Sequence, residues 1–333
     1  MANIRHIAKQ AGVSATTVSR VLNNHPQVSA SVRARVMAVT NEIGYVPTIG
    51  RKSTSNIALV YTGVSSLGSP FDAALMFGMS GGMEEYGYDL MILDARRARQ
   101  PGETYTQMFV RKGIRGAILR TTAQARSVCE AIADEGFPCV VVGDRFESPS
   151  VSFVYSDSRE TSREAVEHLI GLGHRRIAIC LNIVDDSDHA DRLAGYRQAH
   201  ADHGLEVDRK LILRVPANRE GGMQLMRRLM TMPDRPTAVF ITDPLTALGA
   251  MGEARKLGVE IPRDLSVVGF DDAEMRYGMY PELTAICQDA AALGREAFAA
   301  LYGMLDQPDG APVVKKALRT WLEVHASTGP RPE

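Results

Sequence analysis

Residues 4–23 read IRHIAKQAGVSATTVSRVLN and contain two short helical patterns separated by a glycine. Apolar residues recur at helical spacing in residues 4–11, Gly12 then breaks the pattern, and Ser14 can cap a second helix. The apolar residues of this second helix share one face: Val18, Val21 and Leu22. A third helical pattern begins after Ser29. The spacing predicts a tight helix-turn-helix followed by a third helix, and three such segments can form one small core.

The other face of the predicted second helix is polar and carries Thr16, Ser19, Arg20 and Asn23. Short polar side chains near a helix start can reach base edges in the major groove, and an arginine can pair with guanine or with phosphate. The alternative is a three-helix module that binds a protein and leaves this face in solvent. The helix spacing and the basic charge of the segment favour DNA.

Charge is distributed unevenly along the chain. The first 56 residues hold seven basic residues and one acidic residue, net +6, whereas residues 57–333 hold 31 basic and 38 acidic residues, net −7. A small basic module attached to an acidic body indicates that only the N-terminus meets a polyanion.

A length of 333 residues favours a large two-lobed domain or two to three units, and the 45% hydrophobic content indicates a soluble globular protein. No apolar stretch approaches the roughly 20 residues of a membrane span, and no apolar run follows residues 1–10, so we expect a cytoplasmic protein without a membrane partner. The four cysteines are scattered and predict reduced core thiols rather than disulfides or a zinc site: Cys129, Cys139, Cys180 and Cys287. We expect neither a cofactor nor a metal.

Beyond residue 57, short apolar segments alternate with helical patterns. The predicted strands are 57–62, 89–93, 116–119, 138–143, 176–181, 211–215, 237–241 and 265–270. Helices are predicted between them, including 159–171, 190–203, 219–230 and 244–257, and a connection near 151–157 separates two series. This alternation predicts parallel sheets with helices on both faces, arranged as two lobes with a cleft where the carboxyl ends of the strands meet.

Carboxylates follow several predicted strands at this edge: Asp144, Asp243, Asp271 and Asp272. A carboxylate in this position can accept hydrogen bonds from two neighbouring hydroxyl groups of a ligand. Of the adjacent pair, we expect Asp271 to contact the ligand, and Asp272 to cap a helix or lie in solvent.

One motif suggests an enzyme. Residues 78–82, GMSGG, match the G-x-S-x-G pattern of a hydrolase nucleophile elbow. An elbow lies between a strand and a helix, whereas Ser80 lies inside an apolar-periodic segment from about Pro70 to Tyr86. We therefore predict a helix here. Its expected packing residues are Ala74, Phe77 and Gly81.

Two further clusters lack the spacing of a metal site. Residues 185–189, DDSDH, predict a solvated acidic loop, and His200, Asp202 and His203 predict an exposed helix end. The chain has no phosphate-binding glycine motif. Nothing in the sequence therefore requires catalysis.

Several segments together resemble the lactose-repressor-type (LacI/GalR) family of transcription regulators. They are residues 4–14, 17–23, 28–29 and 44–47 in the headpiece, and residues 173–178 (GHRRIA), 192–196 (RLAGY), 264–272 (DLSVVGFDD) and 281–284 (PELT) in the body. The resemblance implies a helix-turn-helix headpiece that binds operator DNA. It also implies a two-lobed periplasmic-binding-protein-like domain with parallel sheets that binds an effector, for which a sugar is the default.

The resemblance also implies site residues. The residues expected at the DNA are Ser14, Ala15, Thr16, Thr17, Ser19, Arg20, Asn23, Ser29 and Arg33, with Ala15, Thr16 and Arg20 at the specificity positions. Arg192 and Asp271 correspond to sugar contacts, and the other effector candidates are Phe71, Asp72, Asp144, Thr242 and Gln288. Two differences leave the effector open. Thr242 replaces the usual asparagine, and residues 216–218 lack an aromatic that would stack on a sugar ring.

The expected division is a headpiece 1–47, a linker 48–56, an effector-binding and dimerisation domain 57–327 and a tail 328–333. Lobe one combines about 57–156 with 289–316, and lobe two combines 157–288 with 317–327. The short linker contains Gly50 and three consecutive hydroxyl residues and is a poor helix former. We therefore expect a tether in place of the family's hinge helix. Trp321 is expected in the core.

By resemblance, the sequence predicts a homodimeric repressor that binds operator double-stranded DNA and responds to a small molecule. The C-terminus has no heptad pattern, so no coiled-coil tetramer is expected. Two alternatives belong to other classes: a solute-binding protein that serves a transporter, and a hydrolase built on Ser80. The basic headpiece weighs against both.

Overall fold

The N-terminal helices form a small core of their own. The computed structural model describes residues 4–22, 27–43, 54–307 and 311–332. Helices α1 (Ile4–Ala11), α2 (Ala15–Leu22) and α3 (Ala30–Glu42) bury Ile7, Val18 and Val36 completely. Ser14 caps α2, since its Oγ accepts a hydrogen bond of 3.0 Å from the backbone N–H of Thr17. The predicted helix-turn-helix is confirmed.

The body alternates strands with helices, as the apolar segments predicted. The strands are β1 (Asn56–Tyr61), β2 (Asp89–Asp94), β3 (Ile114–Arg120), β4 (Cys139–Val142), β5 (Ser152–Asp157), β6 (Ile177–Asn182), β7 (Ile212–Val215), β8 (Ala238–Ile241), β9 (Ser266–Asp271), β10 (Thr284–Cys287), β11 (Lys315–Arg319) and β12 (Trp321–Glu323). The α-helices are α4 (Pro70–Tyr86), α5 (Ala95–Ala98), α6 (Tyr105–Arg111), α7 (Arg126–Asp134), α8 (Arg159–Gly171), α9 (Ser187–Asp202), α10 (Arg219–Thr231), α11 (Pro244–Lys256) and α12 (Ala290–Asp306).

The strands form two sheets, one in each lobe. The first has the order β11-β5-β4-β3-β1-β2 with parallel pairs throughout. The second has the order β12-β10-β9-β8-β6-β7, in which the edge strand β12 is antiparallel to β10 and the other pairs are parallel. In the described residues the chain passes between the lobes after β5, after β10 and after β11.

Helices cover both faces of each sheet, and alternate residues of one strand therefore enter different cores. In β1, Ala58 and Val60 pack with α6 and α7, whereas Ile57 and Leu59 pack with α4 and α12. Burial on both faces explains why these strands read as continuous apolar runs. All four cysteines are free and buried, as the sequence predicted.

Four expectations about element positions are wrong. Residues 151–157 contain β5 rather than a connection alone. The expected boundary at 316/317 divides β11, which pairs with β5 through Arg319 and so belongs to lobe one. Trp321 is 44% exposed, because β12 is an edge strand. The expected tail is docked, since the backbone N–H groups of Gly329 and Arg331 donate to Ser266 Oγ and the carbonyl of Leu172.

The glycine-rich motif lies in the middle of α4, as predicted, although the packing face is different. Phe77 is 74% exposed, whereas Gly78 faces α12 so closely that a Cβ there would lie 1.9 Å from the carbonyl oxygen of Ala291. The expected packing through Phe77 and Gly81 is therefore wrong, because the face of α4 that contacts α12 is shifted by one residue. Ser80 is exposed and donates to the carbonyl of Phe77 at 2.7 Å, which is the geometry of a helical serine and not of an elbow.

The two glycines of this motif should respond oppositely to alanine. We expect Gly78→Ala to lower the free energy of unfolding by about 2 kcal/mol, because two backbones must separate. Gly81→Ala should leave it unchanged or raise it by up to about 1 kcal/mol, since its Cβ position has nothing within 4 Å. Chemical denaturation of both variants checks this, and equal destabilisation would contradict the close packing of α4 on α12.

Candidate functional site

The headpiece exposes one face of α2. Ala15, Thr16 and Arg20 are exposed, and Thr17 and Ser19 are half-buried. Three other predicted DNA residues also have structural contacts. Ser14 caps α2, Ser29 Oγ accepts from the N–H of Val32 at 3.4 Å, and Arg33 donates to the carbonyl of Val21 at 3.3 Å. Asn23, the remaining predicted DNA residue, lies outside the described residues.

A cavity of about 540 Å³ lies between the two lobes of the body. Its walls are the segments that follow the carboxyl ends of parallel strands in both sheets. They include Val64 to Ser66 after β1, Arg120 to Thr122 at β3, Asn182 to Val184 at β6, Pro216 to Asn218 after β7, Thr242 to Leu245 after β8, Asp272 after β9 and Gln288 after β10. This is the strand edge at which ligands bind in open α/β sheets.

Four of the predicted effector residues line this cavity: Phe71, Arg192, Thr242 and Gln288. Arg192 is only 6% exposed, and its guanidinium carbon lies 3.6 Å from the ring centroid of Phe270. Its Nη1 donates to the carbonyl oxygen of Thr242 at 2.7 Å. The alternative of a surface salt bridge for Arg192 is therefore wrong, because its guanidinium is held inside the molecule by stacking and a backbone acceptor.

Asp72 lies beneath the cavity rather than on its wall. Its carboxylate is fully buried and accepts from Tyr61 at 2.7 Å, Ser66 at 2.6 Å and Arg120 Nε at 3.0 Å. Burial, together with the neighbouring Asp72 charge, raises the pKa of Tyr61 well above its usual range. The residue predicted as a ligand contact instead positions Arg120.

Asp144 also lies behind the wall, where it connects the two lobes. Its Oδ1 accepts from Arg126 at 2.5 Å, from the backbone of Arg145 at 2.7 Å, and from Ser187 on the opposite lobe. Arg145 in turn pairs with Asp191 of α9, with an Nη2–Oδ1 distance of 2.8 Å. The prediction that Asp144 lines the cleft is wrong, since the residue is 2% exposed and is not among those that line the cavity.

The adjacent aspartates have exchanged the expected roles. Asp271 is 1% exposed, and its two oxygens accept from the backbone of Ala273, Met275 and Arg276. It also forms a salt bridge of 2.8 Å with Arg276. Asp272 lines the cavity, accepts from Gln288 at 2.5 Å, and has its pKa raised to about 6 by burial. The ligand-contact prediction for Asp271 is therefore wrong, because the following turn uses both oxygens.

The acidic loop expected in solvent forms part of the cavity wall. Asp186 caps α9 by accepting from the N–H and Nδ1 of His189, each at 2.7 Å. Burial opposes ionisation of Asp186, but His189 outweighs it and lowers the pKa of this carboxyl. Burial raises the pKa of Asp188, with Arg192 opposing. The missed signal is the loop's position directly after β6, at the same edge as the other predicted carboxylates.

Several buried polar atoms at the cavity have no hydrogen-bond partner in the described residues. They are Asp188 Oδ1, His189 Nε2, Arg192 Nε and Gln288 Oε1. An unsatisfied buried polar atom costs about 1–3 kcal/mol, so a ligand that pairs with these atoms recovers that free energy. The arrangement can therefore hold a small molecule with several hydrogen-bonding groups.

Two other features bear on the class of protein. His200 is buried against the ring of Tyr196 at 4.2 Å, so only Asp202 and His203 form the exposed helix end that was expected. No group of three or more potential metal ligands occurs in the described part of the chain. Among the same residues, no helix is long and apolar enough to cross a membrane.

A helix-turn-helix joined to a two-lobed domain with a polar interlobe cavity defines a DNA-binding transcriptional regulator with a ligand-binding body. Residues 3–48 match the family described as bacterial regulatory proteins, lacI family, and residues 166–328 match a periplasmic binding protein-like domain.

Relatives match over nearly the whole chain. The transcriptional repressor CytR of Escherichia coli is 32% identical over 94% of this chain and 91% of its own. The regulator DegA of Bacillus subtilis is 31% identical over 88% of each chain. A solved structure of the regulator CelR with cellobiose is 29% identical, has a TM-score of 0.70, and covers 98% of this chain and all of its own. The chain belongs to the LacI family of transcriptional regulators.

Loss of the Asp271 carboxylate should destabilise lobe two. Asp271→Ala leaves Arg276 without one of its two acidic partners and the following turn without its acceptor. We therefore expect the free energy of unfolding to fall by about 3 kcal/mol. Urea denaturation measures the change. A loss below about 0.5 kcal/mol would contradict the structural role assigned to Asp271.

The neighbouring change Asp272→Asn should have the opposite effect. The folded protein binds the Asp272 proton more tightly than the unfolded chain does, so ionisation removes stability as pH rises from about 4 to about 6. The asparagine variant avoids this loss and should be more stable than the wild type at pH 7 by on the order of 1–2 kcal/mol. The difference should vanish near pH 4. Thermal unfolding of both proteins between pH 4 and pH 7 measures this difference in stability. A variant less stable than the wild type at pH 7 would contradict the prediction.

Proposed function

We propose that this regulator is an operator-binding repressor whose DNA affinity is set by a hydroxylated small molecule, a sugar or sugar derivative, bound between the lobes. The observation that carries the proposal is the set of unpartnered buried polar atoms on the cavity wall, contributed by Asp188, His189, Arg192 and Gln288. Hydroxyl groups both donate and accept, so a polyol can satisfy such a mixed set.

The volume and lining of the cavity support this ligand class. About 540 Å³ falls within the range of small-molecule sites. Phe71 and Ile183 supply apolar surface, and Asn182 and Asn218 add further polar groups. The related regulator CelR is described in complex with cellobiose, which favours a carbohydrate here too. Residues 216–218 line the cavity and include no aromatic that could stack on a sugar ring, so we expect polar contacts to dominate binding.

At the DNA, we propose that the exposed residues of α2 read the operator. In this proposal Ala15, Thr16 and Arg20, all exposed on α2, contact base edges, with Arg20 donating to guanine or phosphate. Ser29 and Arg33 lie at and after the start of α3, where side chains and a helix N-terminus can approach phosphates. The half-buried Ser19 and Thr17 complete the surface.

We further propose that ligand and operator are linked through the relative position of the two lobes. Contacts across the cleft, including Ser187 with Asp144 and Arg145 with Asp191, connect the lobes on one side of the cavity. A ligand that touches both lobes changes the free energy of their arrangement, and the change reaches the headpiece through the linker. Linkage permits either release or tightening by the ligand, and the repressor assignment follows the relatives' names.

A homodimer would place two headpieces on successive half-sites of a pseudo-palindrome. Large exposed apolar residues support self-association, notably Tyr280 at 89% and Phe77 at 74% exposure. The proposed division is a headpiece 1–47, a linker that ends before β1 at Asn56, and a body that includes the docked segment 328–332. Residues 48–53 of the linker, on which the proposed tether depends, lie outside the described residues. No catalytic role is proposed for Ser80, which serves only as a helix residue.

Selection from randomised duplex DNA by the purified protein, followed by sequencing, tests the operator assignment. We expect the wild type to select an inverted repeat and the Arg20→Ala variant to select none. The control Arg263→Ala removes the same charge from an exposed residue of the body and should still select the repeat. Loss of selection with both variants, or with neither, would contradict reading by α2.

Removal of residues 1–53, which leaves β1 (Asn56–Tyr61) whole, tests the separation of the two activities. The shortened protein should lose all operator binding and keep its affinity for any small molecule that alters the full-length protein's binding to DNA. Calorimetry on both forms measures this. Loss of ligand binding in a folded, shortened protein would contradict the assignment of the ligand to the interlobe cavity.

A further inference from the structure

The wall of the interlobe cavity carries more negative than positive charge. Four carboxylates line it, from Asp186, Asp188, Asp243 and Asp272, against the two guanidiniums of Arg120 and Arg192. A neutral sugar would leave this excess uncompensated, and an acidic sugar would increase it. This inference rests on the function proposed above. The charge of the cavity wall affects which sugar derivative the cavity accepts.

Hydrogen bonding divides these charges into satisfied and unsatisfied groups. Arg120 lines the cavity but its hydrogen bonds are made behind the wall, since its Nε pairs with the buried Asp72 at 3.0 Å and its Nη1 donates to the carbonyl of Val142 at 2.8 Å. Asp243 accepts from the backbone and side chain of Thr246 at the start of α11. These groups have partners within the protein.

Asp188 lacks such a partner. Its Oδ1 is buried and has no hydrogen bond in the described residues, and its Oδ2 lies 4.0 Å from Nη2 of Arg192. Arg192 is itself held by Thr242 and by the ring of Phe270, so it cannot move toward Asp188 without losing those contacts. A buried carboxylate at this distance from a fixed guanidinium is only partly compensated.

The neighbouring unpartnered atoms are mostly acceptors. His189 is 9% exposed, and because its Nδ1 donates to the Asp186 carboxylate, its Nε2 accepts in the neutral ring. Gln288 is 5% exposed, and because its Nε2 donates to Asp272, its buried Oε1 is left as an acceptor without a partner in the described residues. Arg192 Nε is the one donor among the unpartnered atoms of the described cavity wall.

We propose that the ligand is an amino sugar, or a similar hydroxylated amine, whose protonated amino group binds against Asp188. An ammonium group supplies the missing positive charge and three donors, which suits a site whose free atoms are Asp188 Oδ1, His189 Nε2 and Gln288 Oε1. The hydroxyl groups of the same ligand pair with the remaining polar wall. Asp188 is thereby the residue that selects for charge.

The protonation of Asp188 agrees with this assignment. Burial raises its pKa, Arg192 and Arg120 act in the opposite direction, and Asp186 and Asp144 add to the increase. Without a ligand, burial therefore disfavours the ionised form of this carboxyl. An ammonium group favours the ionised form, so its binding should release a proton.

Isothermal titration with matched sugars tests the proposal. The probes are glucosamine, glucose and glucuronate, then galactosamine, galactose and galacturonate, with cellobiose as a neutral disaccharide. We expect at least one amine to bind about tenfold or more tightly than its hydroxyl counterpart, and the uronates to bind most weakly. Asp188→Asn should reduce this preference to within about threefold, whereas Asp185→Asn, a change on the exposed side of the same loop, should retain it.

Repeating the wild-type titration at pH 6.5 in buffers of different ionisation enthalpy adds a measurement that needs no variant. Proton release with the amine supports the proposal, and proton uptake overturns it. A neutral sugar that binds as tightly as its amine, or a preference that survives Asp188→Asn, also overturns it while leaving a carbohydrate-responsive regulator intact. Failure of every sugar probe overturns both the amino-sugar assignment and the carbohydrate class, whereas operator selection tests the DNA-binding function separately.

Discussion

The parallel direction of neighbouring strands in both sheets is the constraint on which the interlobe site depends. Parallel strands end at the same edge, so the segments after β1 and β3 in one lobe and after β6, β8, β9 and β10 in the other all open onto one cavity. Residues from Val64 to Gln288 in the chain are thereby brought together, although helices separate them in sequence. The lobes need only face each other for these edges to form a binding site.

Carboxylates at this edge serve two purposes, and the number of donors each receives distinguishes them. Asp72 and Asp271 are fully buried and accept three or more hydrogen bonds from the protein, so they fix Arg120 and the turn at Arg276. Asp188 and Asp272 lie on the cavity wall with fewer donors, and burial raises the pKa of each. A carboxylate with too few hydrogen-bond donors destabilises the free protein. A ligand that supplies the missing donors recovers this free energy on binding.

The connections between the lobes explain how a ligand can influence a distant DNA surface. Ser187 and Asp191 at the start of α9 bond to Asp144 and Arg145 of the opposite lobe, immediately beside Asp188 and Arg192 on the cavity wall. Contact with the ligand and contact between the lobes therefore use one short segment. A change in the ligand contacts therefore alters the free energy of the contacts between the lobes, and the reverse also holds. Coupling between two sites requires such a link.

Local pattern alone determined much of this protein. The bounds of α1, α4 and α8 follow from apolar spacing, and most interior strands follow from continuous apolar runs, since burial on both faces demands them. The interior strands β5 and β10 were not predicted as strands. Edge strands β11 and β12 were missed because one-sided burial leaves mixed polar patterns. The acidic loop at 185–189 and the exchange between Asp271 and Asp272 were decided only by tertiary structure. Whether a carboxylate is a ligand contact or a support depends on which donors surround it in space, and residues such as Arg276, Gln288 and Arg192 approach these carboxylates from other turns and other strands.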